Sequence, residues 1–531
     1  MKKFIAILCA SVMSICSFCA CTGNDASGAD LSGNPSSIYY ATSTGEFITY
    51  GYSSPTDGTW NFDEETFDEG EFRTKERYEE YLEAGLNTLM LQGNDPYVGE
   101  PFETSQLKKN MDNAYAAGIK RVIVFDSRIQ RLSASDTSIY TGINIVDYDF
   151  EYYPNDGTLD ITDTNALKEY LLYCIKDYKN HEAFFGVMLV DEPRWQVLPQ
   201  ACMVYKALEE VLPGIYVQLN LLPLDTSFRA GERFVDETNP KYANYTVAQK
   251  YEQYIDDFCS LSGASRICMD SYPIKRSGTD KYYILETHLL NIRILNKVAK
   301  KYGCTLNAVA QSTELARKVD RSEVSLKAPN KTEMYWQINA YLGFGVDTFS
   351  YYTYWAKQDN NSSGNHTDGT AYMTRDGQRT ELWYTMKEIH AEMQKFAPIF
   401  LNFEYKGCNY YYKKPTAYST SFLTYMEDGE VFKEMDDFAK LKDVTVRAGD
   451  MALVTELKDE AHSQYMYMIM NPQAPSNNIY GDVSLETIID FGTEYKAVEL
   501  WYKGEMVLKP LTDGKITIDL AAGYAVYVMP Y

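Results

Sequence analysis

The pattern of hydrophobic and polar positions divides the chain into two parts. From Phe47 to about Glu404, short apolar or β-branched runs alternate with longer segments in which apolar residues recur at helical spacing. Several predicted helices end in glycine just before the next apolar run, as helices commonly do. These glycines are Gly85, Gly118, Gly303 and Gly345. Eight strand–helix units in succession predict an α/β fold of the (β/α)8, or TIM-barrel, type. A doubly wound open sheet is the alternative, although no G-x-G-x-x-G motif follows the first predicted strand.

Beyond about Tyr405 the pattern changes to short alternating strands. Turn signals separate them, for example Lys503-Gly504 and Asp513-Gly514. This pattern predicts a smaller β-sandwich over residues 405–531. Such a domain either caps the barrel or binds carbohydrate.

The N-terminus has the pattern of a secretory signal. Lys2 and Lys3 precede an apolar run that starts at Phe4 and is too short to span a membrane. Cys21 follows small residues and resembles the modified cysteine of a bacterial lipobox, with Phe18 in place of the usual leucine. The resemblance implies cleavage before Cys21, lipidation of its thiol, and an extracytoplasmic protein anchored to the bacterial membrane or cell surface. Ordinary signal cleavage with an unmodified cysteine is the alternative.

The composition of the next segment completes the expected domain order. Residues 21–45 are rich in Gly, Ser and Asp, which predicts a flexible tether. We therefore expect a signal peptide over residues 1–20, the tether, a barrel over 46–404 and the sandwich over 405–531.

Charge and composition restrict the kinds of partner. The chain of 531 residues carries 74 acidic and 50 basic residues, a formal charge of −24, which argues against binding to nucleic acid. None of the five histidines lies at ligand spacing from another histidine or a cysteine, so we expect no metal site. No organic cofactor is implied either. The only membrane contact that we expect is the lipid anchor.

Polar residues at the ends of the predicted strands are the candidate site, because function in such barrels collects at that rim. Carboxylates, amides and aromatic rings suit a sugar, whereas few cations are present to bind phosphate. Asp126 and Asn220 alternatively cap loops, and most of the 46 tyrosines must pack in the core. The candidate residues, in strand order, are Asp126, Asp191, Glu192, Asn220, Asp270, Tyr272, Gln311, Glu314, Tyr354 and Trp355.

The segment FFGVMLVDEPRW places two adjacent carboxylates at the end of the fourth predicted strand. Pro193 favours an extended backbone at Glu192, and successive side chains of a strand point in opposite directions. Burial and the neighbouring charge would raise the pKa of one carboxyl, so that it keeps a proton to donate. The alternative is that Asp191 caps a helix starting near Arg194, with Glu192 close to the positive helix end.

With this DEP triplet, the barrel pattern and the aromatic run SYYTYW, the sequence resembles the TIM-barrel glycoside hydrolases of clan A. The resemblance implies that Glu192 is the catalytic acid/base. It also implies a nucleophilic glutamate ending the seventh strand, where this chain has Gln311. Glu314 fits that role only if the strand runs further.

Two other resemblances avoid this difficulty. Adjacent Asp and Glu also resemble hexosaminidases, which implies Glu192 as acid, Asp191 orienting a substrate acetamido group and Tyr272 holding it. The pair Asp191 and Asp270 resembles the carboxylates of retaining α-galactosidases. We therefore expect a glycoside hydrolase acting on an extracellular oligo- or polysaccharide, with Glu192 as the firmest assignment. The alternatives are a non-catalytic glycan-binding lipoprotein, which Gln311 favours, and an inert barrel used for assembly.

Overall fold

A computed structural model describes most of the residues of the chain. The predicted signal peptide, Cys21 and most of the tether lie outside the described residues. The described ranges are 34–56, 58–61, 66–69, 72–91, 101–134, 143–144, 158–224, 230–277, 281–284, 287–316, 324–356, 358–359, 366–412, 433–447, 451–473 and 484–531.

Eight parallel strands form the central sheet. From the second strand to the eighth, each pairs with the next along the chain, and the eighth also pairs with the first. The two end strands approach each other where Thr88 N donates to Thr49 O at 3.0 Å. The strands are β1 Ile48–Gly51, β2 Leu89–Leu91, β3 Val122–Phe125, β4 Phe184–Asp191, β5 Tyr216–Leu221, β6 Arg266–Ser271, β7 Thr305–Gln311 and β8 Thr348–Tyr352. The strand order does not reverse as it would in a doubly wound sheet, so the (β/α)8 prediction is confirmed.

Helices follow the strands and cover the outside of the barrel. Two of them begin with a capping box, at Thr246 and Asn330, which satisfies amide groups that the first helical turn leaves free. At the end of α2, Gly85 has φ 84°, and a Cβ atom there would lie 2.4 Å from Cβ of His390. The helices are α1 Ser37–Thr42, α2 Lys75–Glu83, α3 Gln106–Ala116, α4 Ser127–Ala134, α5 Thr164–Ile175, α6 Leu198–Val211, α7 Val247–Ser262, α8 Thr287–Tyr302, α9 Lys331–Gly343 and α10 Glu381–Phe400.

Loops at the rim carry short strands of their own. Six of them form an antiparallel sheet from the connections that follow β6, β7 and β8. They are Ile274–Ser277, Lys281–Ile284, Leu315–Ala316, Val324–Leu326, Gln358–Asp359 and His366–Asp368. Two hairpins lie elsewhere, Gly58–Asn61 with Thr66–Glu69 and Ile143–Asn144 with Thr158–Leu159. This antiparallel sheet therefore connects the loops that follow three neighbouring barrel strands.

The C-terminal part is a sandwich of two antiparallel sheets around its own apolar core, as predicted. One sheet has the order β9-β11-β12-β17-β14-β15 and the other β10-β13-β16. The strands are β9 Glu404–Tyr412, β10 Asp443–Val446, β11 Met451–Asp459, β12 Gln464–Met470, β13 Leu485–Asp490, β14 Ala497–Tyr502, β15 Glu505–Pro510, β16 Lys515–Leu520 and β17 Ala525–Pro530.

The larger sheet packs directly on the barrel. Its strands β11 and β17 are buried almost throughout, because one face covers the sandwich core and the other covers α9 and α10. Thr455 Oγ1 donates to Gly343 O at 2.8 Å, and the rings of Phe396 and Tyr527 lie 4.6 Å apart. The apolar core of the barrel thus continues onto one face of this sheet, and the sandwich core lies on its other face. Of the helices that the structure describes, none has both the length and the hydrophobicity to cross a membrane.

Candidate active site

Asp191 and Glu192 end β4 at the C-terminal rim of the barrel. Asp191 Oδ1 accepts a hydrogen bond from Asn220 Nδ2 at 2.9 Å, and Glu192 N donates to Asn220 O at 2.8 Å. Glu192 has φ 48°, so the expected extended backbone at this residue is wrong. The chain turns in the left-handed region between the strand and Pro193, which removes the simple alternation of the two side chains. The helix-cap alternative is also wrong, because α6 begins at Leu198 with Val197 at its N-cap.

Asp270, near the end of β6, completes a cluster of three carboxyls. Its side chain is buried and close enough to those of Glu192 and Tyr272 to act on them electrostatically, while its Oδ1 has no hydrogen-bond partner among the described residues. Glu192 is half-buried, and Asp191 is the most accessible of the three. The structure therefore brings together the three predicted catalytic residues at one point of the rim.

The surroundings of these carboxyls oppose full ionisation. Burial, followed by the charges of Glu192 and Asp191, raises the pKa of Asp270 well above its usual value. Burial and the charge of Asp191 also raise the pKa of Glu192, while Arg233, with Nη2 3.6 Å from Glu192 Oε2, acts in the opposite direction. Burial raises the pKa of Asp191, and its bond from Asn220 opposes this. Because neighbouring carboxyls do not both ionise readily, these surroundings favour a state in which the pair of Glu192 and Asp270 holds a proton.

Aromatic rings stand beside the cluster. Tyr272, a predicted site residue, is half-buried, and its ring centroid lies 5.5 Å from that of Tyr352. Tyr352 in turn lies 6.4 Å from Tyr52. Tyr52 and Tyr352 were not among the predicted site residues. They occupy the ends of β1 and β8, so the tyrosine-rich runs FITYGYS and SYYTYW contained the signal, but they gave no way to choose among the tyrosines.

Asp126 is not available to a substrate, and its predicted sugar contact is wrong. The residue is fully buried, and Arg128 donates to both carboxylate oxygens, Nε to Oδ1 at 3.0 Å and Nη2 to Oδ2 at 2.8 Å. Tyr178 OH adds a bond at 2.9 Å. Arg128 N also donates to Oδ1 at 3.0 Å, so Asp126 caps the start of α4, which was the alternative.

Gln311 is likewise occupied by the protein itself, which corrects its assignment to the substrate site. Its Oε1 accepts from Ile274 N at 2.8 Å, and its Nε2 donates to Ile274 O at 3.2 Å and to Lys327 O at 2.7 Å. This amide joins β7 to the loops that form the sheet above the rim. Glu314 lies three residues beyond the end of β7, where its backbone N donates to Thr370 O at 2.9 Å and its O accepts from Gly369 N at 2.8 Å.

Tyr354 and Trp355 are both completely buried, so their prediction as substrate-binding residues is wrong. Tyr354 packs between Tyr81 and Tyr372, with ring centroids 4.7 Å and 5.6 Å away. Trp355 packs on Phe72 at 4.8 Å. The strand ends at Tyr352, two residues before Tyr354 and three before Trp355, and both side chains belong to the apolar core.

The comparisons with known proteins concern architecture. No family model matches the chain, and no curated protein matches it. Similar solved structures include a glycoside hydrolase of family 5 from Bacteroides vulgatus, with TM-score 0.47, 12% identity and coverage of 91% of this chain and 89% of that chain. An α-amylase from Anoxybacillus has TM-score 0.46, 11% identity and coverage of 91% and 98%. Another glycoside hydrolase has TM-score 0.45, 10% identity and coverage of 91% and 92%.

Proposed function

We propose that this protein is a glycoside hydrolase that cleaves an extracellular oligo- or polysaccharide, exported and anchored through a lipid on Cys21. The observation that supports this proposal is the cluster of Asp191, Glu192 and Asp270 at the barrel rim, whose pKa values are all raised, with tyrosine rings beside it. Protonated and ionised carboxyls side by side are what acid-assisted cleavage of a glycosidic bond requires.

Glu192 is the proton donor in this proposal. The two carboxyls that flank a glycosidic bond lie at least about 5 Å apart. Glu192 and Asp270 perturb each other's ionisation, and in this proposal they act as one proton-holding unit rather than as the two flanking groups. As the bond from the anomeric carbon to the leaving oxygen breaks, the Glu192 proton passes to that oxygen. The Arg233 guanidinium, whose Nη2 lies 3.6 Å from Glu192 Oε2, then partly balances the charge of the new Glu192 carboxylate.

Asp191 is the opposing carboxylate. It is the most accessible member of the cluster, and the Asn220 amide stabilises its ionised form. A carboxylate in this position stabilises the positive charge that develops at the anomeric carbon, either directly or by orienting a substrate acetamido group. Tyr272 and Tyr352 provide ring faces for the sugar.

The test compares wild-type protein with Glu192→Gln on a panel of 4-nitrophenyl glycosides and polysaccharides. We expect kcat to fall by about 10²–10⁴-fold, the usual contribution of a general acid, while glycan affinity persists. The loss should be much smaller with a 2,4-dinitrophenyl leaving group, because that group departs without protonation. Glu210→Gln on the exposed face of α6, where Glu210 pairs with Lys168 at 2.5 Å, is the matched control and should be unaffected.

Other outcomes point elsewhere. An equal loss with both leaving groups would show that Glu192 is not the acid. A wild-type protein that binds glycans without turnover would be the non-catalytic glycan-binding protein, which the occupied Gln311 amide on β7 favours. A wild-type protein that neither binds nor cleaves any glycan of the panel would be an inert barrel.

A further inference from the structure

A buried hydrogen-bond network lies inside the barrel, directly beneath the carboxyl cluster. Its centre is Gln218 on β5, which is completely buried. Gln218 Oε1 accepts from Tyr50 OH at 2.7 Å and from Asn307 Nδ2 at 3.0 Å, with Tyr216 OH at 3.2 Å. Because these donors occupy the amide oxygen, the amide nitrogen must face the opposite side of the network.

One branch of the network leads to Asp191. Gln218 Nε2 donates to Cys268 Sγ at 2.9 Å, and Cys268 donates to Asn220 Oδ1 at 3.6 Å. The thiol therefore holds the oxygen of the Asn220 amide, and this leaves Nδ2 facing Asp191 at 2.9 Å. If the amide flipped, it would present an oxygen to a carboxylate and an N–H to the thiol proton, which are both unfavourable.

The other branch ends at Tyr52. Gln218 Nε2 donates to the Tyr52 hydroxyl at 3.2 Å, so the hydroxyl oxygen is an acceptor. Within the described part of the chain, no residue accepts the hydrogen of this hydroxyl. Asp191 and Asp270 are close enough to act on Tyr52 through their charges, which places the hydroxyl at the carboxyl cluster. Tyr52 is buried, so this hydroxyl lies at the carboxyl cluster and away from bulk solvent.

We propose that Gln218 is a positioning residue of this site, whose single amide group fixes Asn220 to donate to Asp191 and leaves the Tyr52 hydroxyl to donate to the bound sugar. The part that concerns the sugar rests on the proposed function. An amide is needed here because it accepts on one side and donates twice on the other. A carboxylate at residue 218 would accept on both sides and would take the Tyr52 hydrogen for itself.

The first test uses the pKa of Asp191, measured without any substrate, to report whether the Asn220 amide is held with its nitrogen towards Asp191. The carboxyl of Asp191 is titrated by ¹³C NMR in protein labelled at the aspartate side-chain carbon, with the Asp191→Asn spectrum for assignment. In Cys268→Ala the Asn220 amide loses its anchor, so the Asp191 pKa should rise, whereas Cys268→Ser keeps a donor and should titrate like the wild type. Gln218→Met should also raise the Asp191 pKa, because Cys268 then loses the amide donor that orients it.

Three results would overturn the Asp191 branch: no change in Cys268→Ala, equal changes in the Ala and Ser variants, or no change in Gln218→Met. A merely structural role of Cys268 would affect thermal stability in both variants without separating their titrations. Since this measurement needs no turnover, it remains decisive even if the protein proves not to be a hydrolase.

The second test addresses the Tyr52 branch. On the aryl glycoside that the wild type cleaves best in the panel, Tyr52→Phe should lower kcat/KM by about tenfold, the scale of one lost hydrogen bond to the reacting complex. The Asp191 titration should stay unchanged, because Tyr52 is not a partner of Asn220. An unchanged kcat/KM would exclude Tyr52 as a donor to the sugar. If the wild type cleaves no glycoside in the panel, the proposed function fails and the sugar half of this inference fails with it.

Discussion

Asp126 and Asp191 occupy equivalent places at the ends of neighbouring barrel strands, yet their surroundings are opposite. Asp126 is fully buried and receives hydrogen bonds from the Arg128 guanidinium and the Tyr178 hydroxyl. Asp191 is accessible, receives one amide hydrogen bond, and stands beside two more carboxyls. The difference begins two residues downstream, where the chain has Arg128 in one case and Pro193 in the other.

This comparison shows that a position at the rim does not by itself make a carboxylate reactive. At the end of β3, the Arg128 guanidinium balances the charge of Asp126, and Asp126 caps α4. At β4 and β6, burial and then the neighbouring negative charges raise the pKa values of Glu192 and Asp270, and burial raises the pKa of Asp191. A cluster of mutually perturbed acids in an accessible cleft is the usual physical sign of a functional site.

The largest difference between substitutions at Asp126 and at Asp191 should be in the free energy of unfolding. Asp126→Asn leaves the buried Arg128 guanidinium without its counter-charge, so we expect the free energy of unfolding to fall by about 3–5 kcal/mol. Asp191→Asn should not lower it, because the residue has no such partner and loses a repulsive charge. Urea denaturation of both variants measures the difference.

The matched control for that prediction is Asp112→Asn. Asp112 pairs with Lys108 at 2.8 Å, but its side chain is 51% exposed, so the loss should be about 0–1 kcal/mol. A loss for Asp126→Asn no larger than this would show that the buried pair does not stabilise α4. A loss of several kcal/mol for Asp191→Asn would show that the rim carboxyls are structural after all.

The barrel could be predicted from the sequence because its pattern is local. The seventh strand predicted from the sequence, TLNAVAQ, coincides with β7, and the fourth, FGVMLVD, lacks only the first residue of β4. The carboxyl cluster could be predicted for the same reason, since Asp191 and Asp270 lie at or near the ends of their strands and the barrel brings those ends together.

What the sequence did not predict depends on contacts between distant residues or on where a strand stops. The occupied amide of Gln311 is fixed by Lys327 in a separate loop. Arg233 comes from the connection after β5 and meets Glu192 only in the fold. The polar residues Tyr216, Gln218 and Asn220 do alternate with apolar ones along β5, and that period of two indicates that all three point into the barrel.

The second prediction concerns the repulsion within the cluster. Asp270→Asn keeps a donor for Glu192 but removes one ionisable carboxyl, so we expect a gain in stability of about 1 kcal/mol at neutral pH, the usual scale of a single-site change. The folded-state pKa of Asp270 is raised, so the wild-type stability that it contributes is full below its unfolded pKa of about 4 and is lost as pH rises through the folded value.

The difference in free energy of unfolding between Asp270→Asn and wild type should therefore be smallest near pH 4 and should increase with pH. Denaturation series at several pH values measure this difference, in which the contributions of all other groups cancel. Asp436→Asn, at a fully exposed carboxyl of the C-terminal part, should show no such widening. A gap that narrows with pH would mean that Asp270 is ionised and stabilised by a cation, as Asp126 is.

The smallest effect should come from Arg233, whose Nη2 lies 3.6 Å from Glu192 Oε2 across a half-exposed contact. The arginine charge opposes the rise of the Glu192 pKa, so Arg233→Gln should raise that pKa and move the alkaline limb of the pH–rate profile upward. Exposed pairs of this kind contribute about 0.2–1 kcal/mol, so the movement should be well under one pH unit. Lys250→Gln, which removes the nearby Lys250–Glu237 pair, should leave the limb in place. If Arg233→Gln moved the limb downward, Arg233 would be holding the Glu192 proton rather than opposing it, and the arginine would then play at Glu192 a role different from that of Arg128 at Asp126.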